Sequence, residues 1–268
     1  MACPLQQLDR VPNRSPPAAQ LDGLLRMLTL RYVHQPGFRC LLTAAGACYS
    51  ATMTKPILYQ FWRSSSSWRV RWALMVKGVE FDIHSVDLGA GEQLTPEHLA
   101  RNPLGRVPAL LLDGHCLAES VAIIELLEER IPSPPLFPKD PWARVRTRQL
   151  VEYVNSGIQP FQCPVCVNRA RDTPEARTEW SRFFNERGLL AYEKMLETVA
   201  AEGLGGRFSV GDTLTAADIL LCTQTWSARR FGVDVEQFPR VFAVEKAAMA
   251  TPHAERARPE NQPGAPRP

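Results

Sequence analysis

Short apolar runs of strand length alternate with helical spacing as far as residue 132, and long helical periods follow. Ile57 to Trp62 is apolar and aromatic over the length of a strand. Val70, Ala73, Leu74 and Lys77 then recur at helical intervals, and Gly78 is placed to end that helix. Phe81 to Val86 reads as a second strand and Val107 to Leu112 as a third. Asp113–Gly114 turns the chain back into a fourth through Cys116 and Leu117. Ile123, Ile124, Leu126 and Leu127 form the apolar stripe of a second helix, for which Ser120 is the expected N-cap. Strand signals stop at the proline-dense stretch Pro132 to Leu136.

Beyond that stretch Val145, Leu150, Val151 and Val154 share one helical face. A longer helix is expected to start near Thr173–Pro174, to run through Trp180, Phe183, Phe184, Leu189, Leu190, Tyr192, Met195 and Leu196, and to end at Gly203 to Gly206. Thr215 and Asp218 have the spacing of a capping box ahead of Ile219, Leu220 and Leu221. The order β-α-β then β-β-α, followed by helices alone, predicts an α/β plus all-α chain. Its two parts are a thioredoxin-like domain over 54–132 and a helical bundle over 139–250. Residues 1–52 carry five prolines and five arginines against only Asp9 and Asp22, with no sustained period. They read as a disordered extension ahead of a natural start at Met53. An organelle presequence, or a signal core at Cys40 to Ala51 lying too far from Met1, is the weaker reading. Residues 251–268, rich in proline, read as a disordered tail.

Composition narrows the classes. The chain has 268 residues, is 45% hydrophobic and carries a net charge of +3, with 31 basic residues offset by 28 acidic ones. That balance is too mild for a nucleic-acid binder. No segment reaches the ~18 consecutive apolar residues of a membrane span. Seven cysteines, an odd number at irregular spacing, imply a reducing compartment such as the cytoplasm rather than a disulfide framework.

The candidate chemistry lies in Arg63–Ser64–Ser65–Ser66–Ser67–Trp68–Arg69–Val70–Arg71, at the start of what reads as an amphipathic helix. Four serines there are, on their own, caps and loop residues. Free backbone N–H groups and hydroxyls at a helix start also stabilise a thiolate. Lowering a thiol pKa from ~8.5 to ~6.5 amounts to about 2.7 kcal/mol and makes thiolate the main form at pH 7.

This stretch resembles the Ser-Ser-Cys-x-Trp-Arg-Val-Arg signature of zeta-class glutathione transferases, which include maleylacetoacetate isomerases. Asn102–Pro103, Val107–Pro108, Glu119–Ser120, Gly157 to Gln162, Gly211–Asp212 to Asp218 and Ala228 to Phe231 fit the same family, so the resemblance spans residues 54–250. It implies the glutathione transferase fold, glutathione as cofactor and a homodimer. Ser64, assisted by Ser65, would be catalytic by donating to the glutathione sulfur. Ser66, Gln93, Val107 before a cis-Pro108, Glu119, Ser120, Gln159 and Gln162 would complete the glutathione site. Arg230 would grip a substrate carboxylate, with Arg63 and Arg69 structural or solvated. No metal is implied.

The implied reaction is cis–trans isomerisation of maleylacetoacetate. The alternatives are the shorter maleylpyruvate, conjugation or dehalogenation of α-haloacids, and a non-catalytic glutathione-binding module. Two departures matter. Ser66 stands where the family has cysteine, which removes a nucleophile but not the proposed donor. Cys163–Pro164–Val165–Cys166 adds a C-x-x-C after Gln162. It is expected to be structural, because the redox position of a thioredoxin-like fold is the first helix start, here all serine. Cys222 on an apolar helix face is expected to be packing.

Overall fold

The computed structural model describes residues 54–266, so the extension expected over 1–52 lies outside the described residues. Four short strands, β1 (Ile57–Gln60), β2 (Asp82–Ser85), β3 (Ala109–Leu112) and β4 (His115–Ala118), form a sheet in the order β2-β1-β3-β4. β1 and β2 run parallel, with Leu58 opposite Ile83. β3 is antiparallel to both neighbours, with Leu58 opposite Leu110 and Leu112 opposite His115. The β3–β4 turn is Asp113–Gly114, both at positive φ (50° and 79°), the backbone form that a two-residue hairpin turn requires. Parallel pairing of β1 and β2 needs a crossover, supplied by α1 (Ser65–Val76). α2 (Pro96–Arg101) leads into β3, and α3 (Ser120–Arg130) follows β4, which completes the thioredoxin-like arrangement.

α1 is not amphipathic, as the sequence suggested, but buried all round from Ser67 to Leu74. One side meets α3, Arg71 bonds the Gln60 side chain at the end of β1, and the other side meets the long helical region, so no face is left for solvent. Trp68 and Trp72 stack at 6.1 Å between centroids, and each is almost wholly buried. Burying each aromatic side chain contributes roughly 1.5–3 kcal/mol.

Two arginines share this interior. Arg69 donates to Thr223 (3.4 Å), Ser120 (3.3 Å) and Asn155 (3.3 Å), which ties α1 to three other elements, and burial draws its pKa down to about 10. Ser120 is therefore not the N-cap. It is the first helical residue of α3, and Glu119 takes the cap position at φ 66° without a side-chain cap bond.

The all-helical part contains α4 (Pro141–Asn155), α5 (Pro164–Ala170), α6 (Pro174–Ala201), α7 (Ala216–Arg230), α8 (Pro239–Met249) and α9 (Ala254–Ala257). α7 is its axis, buried almost continuously from Ala216 to Ala228. Asp218 accepts from the Thr215 N–H (2.7 Å), the Thr215 hydroxyl (2.8 Å) and the Ser209 N–H (2.7 Å), so the carboxylate half of the expected capping box is in place. Val145, expected to share the core-facing side of its helix, is exposed instead, as are Phe183 and Leu190 of the longer helix. Their helices bury narrower stripes than the apolar spacing suggests.

The residues that join the two parts are held from beneath. Lys77 donates to Glu128 (2.6 Å), to the Ile131 carbonyl (2.6 Å) and to the Pro134 carbonyl (2.7 Å), while Glu128 accepts from the N–H groups of Leu136 (2.8 Å) and Phe137 (3.3 Å).

The expectation of a disordered tail after residue 250 is corrected. Ala254 and Ala257 are fully buried, and the Ala257 carbonyl accepts from Nε and Nη2 of Arg71, both at 3.2 Å. Two alanines and a carbonyl give no hydrophobic period, so the sequence does not signal this packing. Among the described residues no helix is long and apolar enough to cross a membrane.

Candidate active site

α1 begins at Ser64, whose extended backbone (φ −70°, ψ 119°) makes it the N-cap and whose hydroxyl oxygen accepts from the Ser67 N–H at 3.2 Å. That bond uses a lone pair and leaves the hydroxyl proton free to donate. Ser64 and Ser65 open onto a cleft of about 770 Å³. Phe61, Trp62 and Arg63 after β1 supply one wall, and Gln159, Gln162, Cys163 and Pro164 supply another. Arg177 and Ser181 of α6, with Ser227 and Arg230 of α7, close it.

The cleft is positively charged. Arg63, Arg177 and Arg230 line it, and among the described residues Asp87 is the one acidic member of the lining. Arg230 has no carboxylate partner among the described residues. It lies over the Trp226 ring, 5.1 Å from its centroid, and burial together with Arg63 lowers its pKa. Its neighbour Arg229 shows the contrast, bonded twice to Glu245 at 2.6 Å. Two guanidinium groups of like charge, one of them partly desolvated, make this end of the cleft a place where an anion lowers the energy. Bidentate binding of a carboxylate is the geometry a guanidinium fits.

Gln162 is fixed by a network that the sequence did not reveal. Its side-chain oxygen accepts from Asn185 (3.0 Å) and Gln224 (3.1 Å), and Gln224 donates to the Asn185 oxygen (2.6 Å). Asn185 and Gln224 are wholly buried, so the three amides lock together the 3₁₀ turn Gln159–Gln162, α6 and α7 behind the cleft.

The remaining candidates lie outside this lining. Ser66 is half-buried on the first turn of α1. Gln93 sits in the short 3₁₀ turn Glu92–Leu94, with its side-chain oxygen buried and unpartnered. Val107 precedes Pro108 through a cis peptide bond, and its N–H and C=O take no hydrogen bond among the described residues. Glu119 is exposed, while Ser120 is buried and accepts from Arg69. Arg69, set aside in the sequence as structural or solvated, is structural. Arg177 was not foreseen. It is one of many arginines in the sequence, and only folding brings it to the cleft.

Among the described residues the Val107 backbone, the buried Gln93 oxygen and the uncapped start of α3 have no hydrogen-bond partner, and the Ser64 hydroxyl proton is unspent.

Residues 54–129 match the family described as glutathione S-transferase, N-terminal domain. The chain is 41% identical over 219 residues to probable maleylacetoacetate isomerase 2 of Drosophila melanogaster, covering 81% of this chain and 93% of that protein. The crystal structure of maleylacetoacetate isomerase from Anaeromyxobacter dehalogenans, with glutathione bound in its active site, superposes with a TM-score of 0.72 at 45% identity. That match covers 80% of this chain and 99% of that one. A maleylacetoacetate isomerase from Methylobacterium extorquens, solved with malonate and glutathione bound, gives a TM-score of 0.74 at 36% identity over 79% of this chain and all of that one. With the serine-capped first helix and the cationic cleft beside it, these likenesses show that the chain belongs to the zeta-class glutathione transferase and maleylacetoacetate isomerase family.

Proposed function

We propose that the protein is a glutathione-dependent cis–trans isomerase that converts maleylacetoacetate to fumarylacetoacetate. The observation that carries this reading is a cleft bounded by Ser64 at a helix start and by Arg230, a guanidinium with no carboxylate partner among the described residues. Relatives with glutathione and a dicarboxylate bound support it.

Bound in the cleft, glutathione supplies a thiol nucleophile whose reversible addition to a cis double bond permits rotation. The chain's share is positional and electrostatic. Ser64 donates its free hydroxyl proton toward the sulfur, with Ser65 and Ser66 beside it on the helix start. Val107 offers its backbone pair to the cysteinyl unit, as an open strand edge does. Gln93, Glu119, Ser120 and the start of α3 hold the γ-glutamyl end, and Gln159 and the clamped Gln162 hold the rest through amide hydrogen bonds. Arg230 orients the acid by one carboxylate. Small α-haloacids fit the same cationic end and are the secondary substrates of this reading. We place the protein in a reducing cytoplasm as a homodimer, which would give cover to exposed apolar side chains such as Leu94, Leu104 and Trp142.

The test is isomerisation of maleylacetoacetate by wild type and Arg230→Ala, with glutathione and without. Loss of a charge-assisted carboxylate bond costs about 1.5–3 kcal/mol, so KM should rise roughly 10- to 100-fold in the variant. An unchanged KM, or turnover that does not need glutathione, would remove the assignment.

A further inference from the structure

We propose that Cys163 and Cys166 form a thiol–disulfide pair that exchanges with glutathione disulfide at the wall of the cleft. The proposal rests on the reading that this cleft admits glutathione. The sequence suggests a structural C-x-x-C, and the fold instead sets its first cysteine in the cleft wall. Cys163 is half-buried and lines the cleft directly after Gln162, whereas Cys166, three residues on and outside the lining, is exposed. Cys163 is the N-cap of α5, with extended backbone (φ −64°, ψ 130°), and Cys166 lies in the first turn. Side chains three apart on one turn face each other ~5–6 Å apart at Cβ. A disulfide needs ~3.5–4.5 Å between Cβ atoms. The Cys163 carbonyl accepts the first helical bond from the Val167 N–H (2.9 Å), but its backbone is extended and its side chain makes no cap bond, so the side chain can turn to close that gap.

Neither thiol has a structural task to forfeit. Both are free, neither sulfur makes a hydrogen bond among the described residues, and Cys163 gives no side-chain cap bond to its helix. Cys222 differs: it is wholly buried, and burial pushes its thiol well above the ordinary range, which leaves it inert. Cys116 on β4 is exposed but does not line the cleft, so it serves as an internal control.

The exchange balances. The Cys163 thiolate attacks one sulfur of glutathione disulfide, the S–S bond breaks, and one glutathione thiolate leaves as a Cys163–glutathione disulfide forms. The Cys166 thiolate then attacks the Cys163 sulfur, closing the internal disulfide and expelling the second glutathione thiolate. The two protons lost by the cysteines end on the two departing thiolates. The protein pair is oxidised by two electrons, and one glutathione disulfide becomes two glutathiones. Cys163 is thus the attacking thiol, and Cys166 the one that clears the adduct from the cleft.

The experiment incubates the full chain with glutathione disulfide, quenches the free thiols, and maps each cysteine by peptide mass in wild type, Cys166→Ser and Cys163→Ser. Wild type should yield the 163–166 disulfide. Cys166→Ser should trap glutathione on Cys163 and lose isomerase turnover until dithiothreitol restores it, and Cys163→Ser should give neither product. Absence of both the internal disulfide in wild type and the Cys163 adduct in Cys166→Ser would overturn the proposal. So would uptake of glutathione by Cys116 as readily as by Cys163. Because the mapping does not depend on turnover, a protein that forms the disulfide but isomerises nothing upholds this inference and overturns the proposed activity. Active isomerase with silent cysteines does the reverse.

Discussion

Replacing Lys77 with methionine should cost more stability than any loss of apolar contact near it. The Lys77 side chain is 0% exposed and that of Glu128 is 7% exposed. The ammonium satisfies the Glu128 carboxylate and two linker carbonyls, while the carboxylate satisfies two linker N–H groups. In Lys77→Met the carboxylate stays buried with no counter-charge, and the carbonyls of Ile131 and Pro134 lose their donor. Removing one partner of a buried pair costs about 3–5 kcal/mol. For a chain of this size each kcal/mol corresponds to about 2–4 °C, so Tm should fall by roughly 6–20 °C. Urea unfolding of wild type, Lys77→Met, Glu128→Leu and the double variant measures the coupling directly. The double variant should recover a substantial part of either single loss, since a neutral pair leaves no stranded charge. A Lys77→Met variant within ~0.5 kcal/mol of wild type, the range of an ordinary surface change, would refute the claim that this pair staples the linker.

Two further outcomes follow from other parts of the fold. Hydrogen bonds to Asp113 from the Thr54 backbone (2.8 Å) and hydroxyl (2.9 Å), and the ion pair with Arg130, hold this carboxyl below the usual carboxylate range. A depressed folded pKa favours the ionised fold, so its contribution is present above the unfolded value of ~3.9 and is lost as pH falls through the folded one. The Tm gap between wild type and Asp113→Asn should therefore be constant above ~pH 5 and shrink on acidification, and a gap that widens in acid would contradict this. Ending the chain after Thr251 should destabilise it by at least about 1–3 kcal/mol, because buried Arg71 loses the Ala257 carbonyl. Calorimetry showing an unchanged Tm would contradict this and favour the disordered tail that its prolines suggest.

What the chain discloses before folding depends on how local the cause is. Strands, the Asp113–Gly114 turn, the start of α6 after Thr173 and the Asp218 cap are legible because each is set by residues within a few positions of one another. Ser64 at the head of α1 is legible for the same reason. The Gln162–Asn185–Gln224 cluster is not, since its members are 23 to 62 positions apart and each alone is an ordinary polar residue. The burial of Arg69 and Arg71 is hidden likewise. Their positions look solvent-facing until α7 and the tail cover α1. The Glu119 cap escapes because Ser120 is the better cap by type, and the reading by type gives no warning of a positive φ at Glu119. Arg177 and Cys163 reach the cleft only through the packing of α5 and α6.

The decisive measurement for a Ser64-assisted, glutathione-dependent isomerase is the rate of maleylacetoacetate isomerisation as a function of glutathione concentration in wild type and Ser64→Gly. Glycine is tolerated at an N-cap at a cost of only a few tenths of a kcal/mol, so the fold survives while the hydroxyl is lost. Without glutathione there should be no turnover, and kcat/KM in the variant should be at least tenfold lower, about 1.4 kcal/mol of transition-state stabilisation. Glutathione-independent turnover, or a variant within about twofold of wild type, would contradict this.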